Sequence, residues 1–94
     1  MIRVIIDRHI AETLEGPYEQ VARKILQRAF QAPGFISGES RKNARDPNHR
    51  VIISNWRSEQ DWNQWYNSPM RKDMTAELQP MLESEEKVTV LELV

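Results

Sequence analysis

Apolar and polar positions alternate along residues 2 to 10, with Ile2, Val4, Ile6 and Ile10 in one phase and Ile5 in the other, and the β-branched content predicts a strand. After the polar stretch Ala11 to Glu15, Gly16-Pro17 supplies a break and then a residue suited to the first helical position. Tyr18, Val21, Ala22, Ile25, Leu26, Ala29 and Phe30 recur at helical spacing, opposite Glu19, Arg23, Lys24 and Arg28, so an amphipathic helix is predicted there. Pro33-Gly34 ends it. Phe35 to Asn43 predicts a second strand, Arg45-Asp46-Pro47-Asn48 has turn chemistry, and Arg50 to Trp56 predicts the strand that returns as a hairpin.

Ser58 followed by Asp61 resembles a capping box and opens a short helix carrying Trp62, Trp65 and Tyr66. Ser68-Pro69 is a second helix start, and Met70, Met74, Leu78, Met81 and Leu82 trace the stripe of the helix that follows, with Pro80 bending or ending it. Glu83 to Lys87 is an acidic connection, and Val88 to Val94 closes the chain as a strand. The order β-α-β-β-α-β over a single domain, residues 1–94, implies an α+β, ferredoxin-like sandwich. Right-handed crossovers then place both helices on one face of a four-stranded antiparallel sheet. The first and last strands are apolar on both sides, so a second copy of the chain is expected over the bare face, giving a homodimer joined through its sheet faces.

Composition narrows the function classes. With 39% hydrophobic and 29% charged residues the chain has material for a core, and a formal net charge of −1 gives no global field toward nucleic acid or anionic lipid. No nucleic-acid and no membrane partner is expected. The absence of cysteine excludes disulfides, thiolate metal sites and thiol nucleophiles. Charges interrupt the apolar run at the N-terminus before it could serve as a signal-peptide core, and a cytoplasmic location is expected.

His9 and His49 are the only histidines and match no metal-ligand spacing. Asp7 and His9 share one strand face, either as a proton acceptor in a cavity or as a polar pair at the edge of the sheet. His49 lies in a basic turn with Arg41, Lys42, Arg45 and Arg50, a pattern of solvated hairpin tips and of anion sites alike. Trp56, Trp62, Trp65 and Tyr66 crowd one strand end and the following helix, as core or as the walls of a pocket for a flat ligand. Asn55 either contacts such a ligand or satisfies backbone at the strand end. Arg50 to Arg57 lacks the base-stacking pattern of RNA-binding strands, and there is no Gly-rich phosphate loop or GxSxG elbow.

Ala32-Pro33-Gly34-Phe35, the turn Asp46-Pro47-Asn48, and Trp56-Arg57-Ser58-Glu59-Gln60-Asp61-Trp62 followed by Trp65 and Ser68-Pro69 together resemble the antibiotic biosynthesis monooxygenase superfamily. The resemblance implies ferredoxin-like dimers that form an α/β barrel. It also implies a cofactor-independent monooxygenase acting with O2 on a small aromatic or quinone-type compound, in a cavity between helices and sheet. On this chain Asp7 or His9 would be base or orienter, Asn55 a polar contact, and Trp56, Trp65 and Tyr66 walls. A second branch of the superfamily degrades haem with a first-strand asparagine, a helical tryptophan and a haem-ligating histidine further on. Trp65 matches that tryptophan, Asp7 stands at the asparagine position, and Met70 to Thr75 holds no histidine, which leaves Met74 as the alternative ligand. Further members are small-molecule isomerases or non-catalytic binding or dimerisation modules.

Overall fold

The computed structural model describes residues 1–94 as β1 (Ile2–His9), α1 (Glu15–Ala29), β2 (Phe35–Asn43), β3 (Asp46–Trp56), α2 (Glu59–Tyr66), α3 (Pro69–Leu78), a 3-10 turn (Gln79–Met81) and β4 (Lys87–Glu92). The strands form one antiparallel sheet in the order β2-β3-β1-β4, the ferredoxin-like arrangement expected from the element order. Strand periodicity decides the two faces. On the helix side β1 buries Ile2, Val4, Ile6 and Arg8, and β3 buries Arg50, Ile52, Ser54 and Trp56. The opposite face carries Arg3, Ile5, Asp7 and His9 of β1, paired with Asn55, Ile53, Val51 and His49 of β3.

The core lies between that buried face and the helices. Val4, Ile10, Tyr18, Trp56 and Leu78 are its fully buried large side chains, each contributing roughly 1.5–3 kcal/mol of transfer free energy on the aliphatic scale. α1 presents Tyr18, Val21, Ile25 and Ala29 inward, while Phe30, the last member of its stripe, is exposed and rests against Phe35 with ring centroids 5.2 Å apart. The helix begins at Glu15, earlier than Gly16-Pro17 suggested, because Leu14 stands at the N-cap and Pro17 occupies the first turn, where no donor is needed.

The second helical region is two segments, each started by a serine. Ser58 Oγ accepts the Asp61 backbone N–H at 3.1 Å, and Ser68 Oγ accepts that of Arg71 at 3.2 Å. The hairpin differs from its sequence reading: its turn is Ala44-Arg45, and Asp46, Pro47 and Asn48 already belong to β3. Side chains hold the tip, with Asn43 Oδ1 accepting the Arg45 N–H at 2.9 Å and Asp46 Oδ1 accepting that of Asn48 at 3.1 Å. A register shift between Lys42 and Asn43 leaves residues 47–49 of β3 without partners in β2, and the first of them, Pro47, has no N–H to add to the ladder. Gly34 takes φ 84°, and a Cβ there would overlap the Asp61 carboxyl, so glycine is required where β2 begins beneath α2.

Candidate functional site

Between helices and sheet runs a narrow slot with a void of about 30 Å³, close to one water's share of liquid volume. Its floor is Ile6 and Arg8 of β1 with Ile52, Ser54 and Trp56 of β3, and its roof comes from α1, α2 and Arg71 of α3. The walls are aromatic because three elements deliver rings to one end. Phe35 meets Trp56 edge-on at 5.3 Å, Trp56 meets Trp62 at 5.6 Å, and Trp62 lies 5.4 Å from Tyr66. Trp56 Nε1 donates to Ser54 Oγ at 3.0 Å, which satisfies the buried indole without using a ligand.

The charged part of the slot is made by Arg8 and Arg71, exposed by only 2% and 4%. Glu86 sits between them: Arg8 Nε donates to Oε2 at 2.9 Å and Arg71 Nη2 to Oε1 at 3.0 Å. Burial alone would raise the Glu86 carboxyl, yet the two guanidiniums and their hydrogen bonds outweigh it and hold its pKa below the usual 4.5. Arg8 Nη1 also donates to the Tyr18 hydroxyl at 3.2 Å, and the Arg71 guanidinium covers the Tyr66 ring at 4.6 Å and the Trp62 ring at 5.8 Å.

Of the residues singled out in the sequence, Trp56 and Trp65 line the slot. Tyr66 is 37% exposed and borders it through Arg71, and Met74 is partly buried against the core. Asp7, His9 and Asn55 lie on the open face of the sheet, away from the slot. There Asp7 Oδ1 accepts His49 Nε2–H at 2.9 Å, Asn43 Nδ2 donates to His49 Nδ1 at 3.1 Å, and the His9 and His49 rings stack at 4.7 Å. Asn43 Oδ1 also accepts the Arg45 N–H, which ties this group to the hairpin tip. Asn55 accepts from Arg3 Nε at 3.1 Å and donates to Ser37 Oγ at 2.9 Å.

Sequence reasoning missed Arg8, Arg71 and Glu86. Arg8 falls in phase with Ile6 and Ile10, which is a visible signal, whereas nothing local distinguishes Arg71 or Glu86 from surface charges. No three His, Asp or Glu side chains converge with metal-ligand geometry. The residues do not fit haem either: neither a histidine nor Met74 is among the residues that line the slot, which leaves iron without an axial ligand there.

A four-stranded antiparallel sheet in the order β2-β3-β1-β4 with an aromatic slot between helices and sheet defines a ferredoxin-like α+β domain. A family profile, "Antibiotic biosynthesis monooxygenase", matches residues 1–77, and the chain belongs to that family. Among solved structures it is similar to an antibiotic biosynthesis monooxygenase (TM-score 0.91, 16% identity, covering 100% of this chain and 99% of that one). It is also similar to a conserved protein from Methanosarcina mazei Go1 (0.89, 16%, 95% and 88%). A third is SnoaB, a cofactor-independent oxygenase from Streptomyces nogalater (0.87, 12%, 98% and 91%). At these identities the likeness is one of fold. No curated protein matches the sequence. No helix is long and apolar enough to cross a membrane.

Proposed function

We propose that the protein is a cofactor-independent monooxygenase that oxidises a small aromatic or quinol-type compound in the slot between helices and sheet. The observation that carries this reading is the slot itself, in which Trp56, Trp62 and Trp65 wall a space whose few polar groups are Ser54, Arg8 and Arg71. Family membership and the likeness to a cofactor-independent oxygenase support it. For a quinol the reaction balances as quinol plus O2 giving hydroxyquinone plus water. One oxygen atom enters the ring as a hydroxyl, the other leaves as water, and the four electrons come from the quinol. The slot contributes orientation of the ring and exclusion of bulk water from the reacting anion.

Oxygen uptake by metal-free protein with naphthohydroquinones, in the presence of catalase and superoxide dismutase, tests the reading. The expected result is uptake above the uncatalysed rate, label from 18O2 in the product, and a loss of about tenfold or more in kcat/KM in Trp65→Ala. Uptake equal to autoxidation across the series would remove the oxygenase reading.

The working molecule, in this proposal, is a homodimer joined through the open sheet faces. Ile5, Val51 and Ile53 form an apolar centre there, and Leu91 on the neighbouring strand is 44% exposed. Asp7, His9, His49 and Asn55 then lie at the subunit boundary, and their polar pairs serve the interface. Light scattering is expected to return twice the 11.1 kDa chain mass.

A further inference from the structure

The residues lining the slot include no carboxylate and no histidine; their only charges are the two guanidiniums of Arg8 and Arg71. Glu86, immediately behind them, neutralises one of the two, so the trio carries two positive charges and one negative and keeps a net +1. The other nearby cation, Arg50, is paired separately with Glu15 and Glu19 at 3.3 and 3.0 Å and meets this group only through the Tyr18 ring. An uncompensated charge held out of water is costly, and proteins ordinarily place a counterion beside it. Arg71 borders two volumes, the aromatic slot and a polar cleft of about 270 Å³ that Lys72, Glu85 and Glu86 also line, and it is the slot that both Arg8 and Arg71 line.

The donors are available as well. Two guanidiniums offer ten N–H groups, of which three hydrogen bonds to protein are made, to Glu86 twice and to Tyr18 once. No sealed side-chain nitrogen in the molecule lacks a partner, so the unpartnered guanidinium nitrogens keep accessible surface. We propose that the slot selects aromatic monoanions, with the ligand's carboxylate, phenolate or enolate oxygen against Arg8 and Arg71 and its ring among Trp56, Trp62 and Trp65. This rests on reading the slot as the substrate site and adds the charge of what enters it. Arginine suits the task because its planar donors match an oxyanion and stay charged at every working pH.

With no titrating base lining the slot, an enol or phenol is held as its anion by the field of the two guanidiniums, and its proton passes to water. Room for a ring comes from the α1 side, where half-buried Ala22 and Leu26, with Ile52, also line an adjoining cleft of about 300 Å³. Leu26 stands between the two spaces, and the proposal requires its side chain to turn aside for a ring to enter.

Calorimetric titration under nitrogen with 2-naphthoate, 2-naphthamide and 2-naphthylmethylammonium near neutral pH compares one ring at three charges. The tryptophan indole N–H signals of 15N-labelled protein report where it binds. We expect 2-naphthoate to bind at least about tenfold more tightly than the neutral and cationic probes and to shift the indole signals. Arg71→Met should erase the preference, Arg71→Lys should keep part of it, and Glu86→Gln, which adds a further net positive charge, should widen it. Equal or tighter binding of the uncharged or cationic probe overturns the proposal. So does binding that leaves the indoles unmoved, absence of binding by all three, or a preference unaltered in the folded variants. The ligand series on the unaltered protein needs no variant to fold. Because oxygen is excluded, an anion preference without oxygen uptake would separate this inference from the oxygenase reading. Uptake on neutral quinols with no preference would do the reverse.

Discussion

Glu86 is a single carboxylate between two buried cations, and its value to the fold depends on its charge. Its folded-state pKa is depressed below 4.5, so its contribution to stability is present above that value and is lost as pH falls through the folded pKa. Thermal melts between pH 3 and 7 should therefore show stability falling below about pH 4.5. In Glu86→Gln that part of the pH dependence should vanish, with a loss on the order of 3 kcal/mol at neutral pH, because two guanidiniums are left without a counterion. Ser54 poses a smaller test of the same kind. Ser54→Ala removes the acceptor of the buried Trp56 indole N–H and should cost about 1–3 kcal/mol in chemical denaturation.

At the scale of elements, two junctions hold the aromatic end of the slot. Gly34 ends the α1–β2 connection with a left-handed backbone, its carbonyl accepts the Arg57 N–H at 2.7 Å, and the Asp61 carboxyl packs where a side chain would begin. Gly34→Ala is expected to lower stability by at least about 1 kcal/mol through backbone strain, and to move Asp61 with the start of α2. Its signature would be shifted Trp62 and Trp65 indole signals. Ser58 caps the same helix and also donates to Asp61 Oδ2 at 3.1 Å, so Ser58→Ala should cost about 1 kcal/mol in urea denaturation. The two starts at Ser58 and Ser68 explain why Trp62, Trp65 and Arg71 reach one slot: on one continuous helix Arg71, nine residues on, would stand about 180° around the axis from Trp62.

At the scale of the molecule, the sheet has one face sealed by helices and one face open, and the proposed homodimer uses the open one. Ile5 and Ile53 are cross-strand partners at its centre. Ile53→Glu puts a charge there with no change to the helix-facing core, and should convert the dimer to monomer in light scattering while the helical circular dichroism persists. A dimer that survives this substitution would place the interface elsewhere.

Element order, the helix stripe from Tyr18 to Ala29, the paired helix starts and the clustering of tryptophans were all legible in the sequence, because periodicity and capping are local properties. The hairpin tip was displaced by a few residues because Asp46 to Asn48 has turn chemistry that side-chain bonds and a register shift absorb into a strand. The slot's aromatic walls were legible in Trp56 and Trp65, while Asp7, His9 and Asn55 were grouped with it because alternation tells which residues share a face and not which face meets the helices. Arg8, Arg71 and Glu86 come together only through tertiary structure: the two arginines stand 63 positions apart, and the carboxylate that joins them lies in the connection before β4. Sequence alone determined the fold family, since it is written in local pattern, and the charge of the interior was decided only when crossovers carried distant residues to one place.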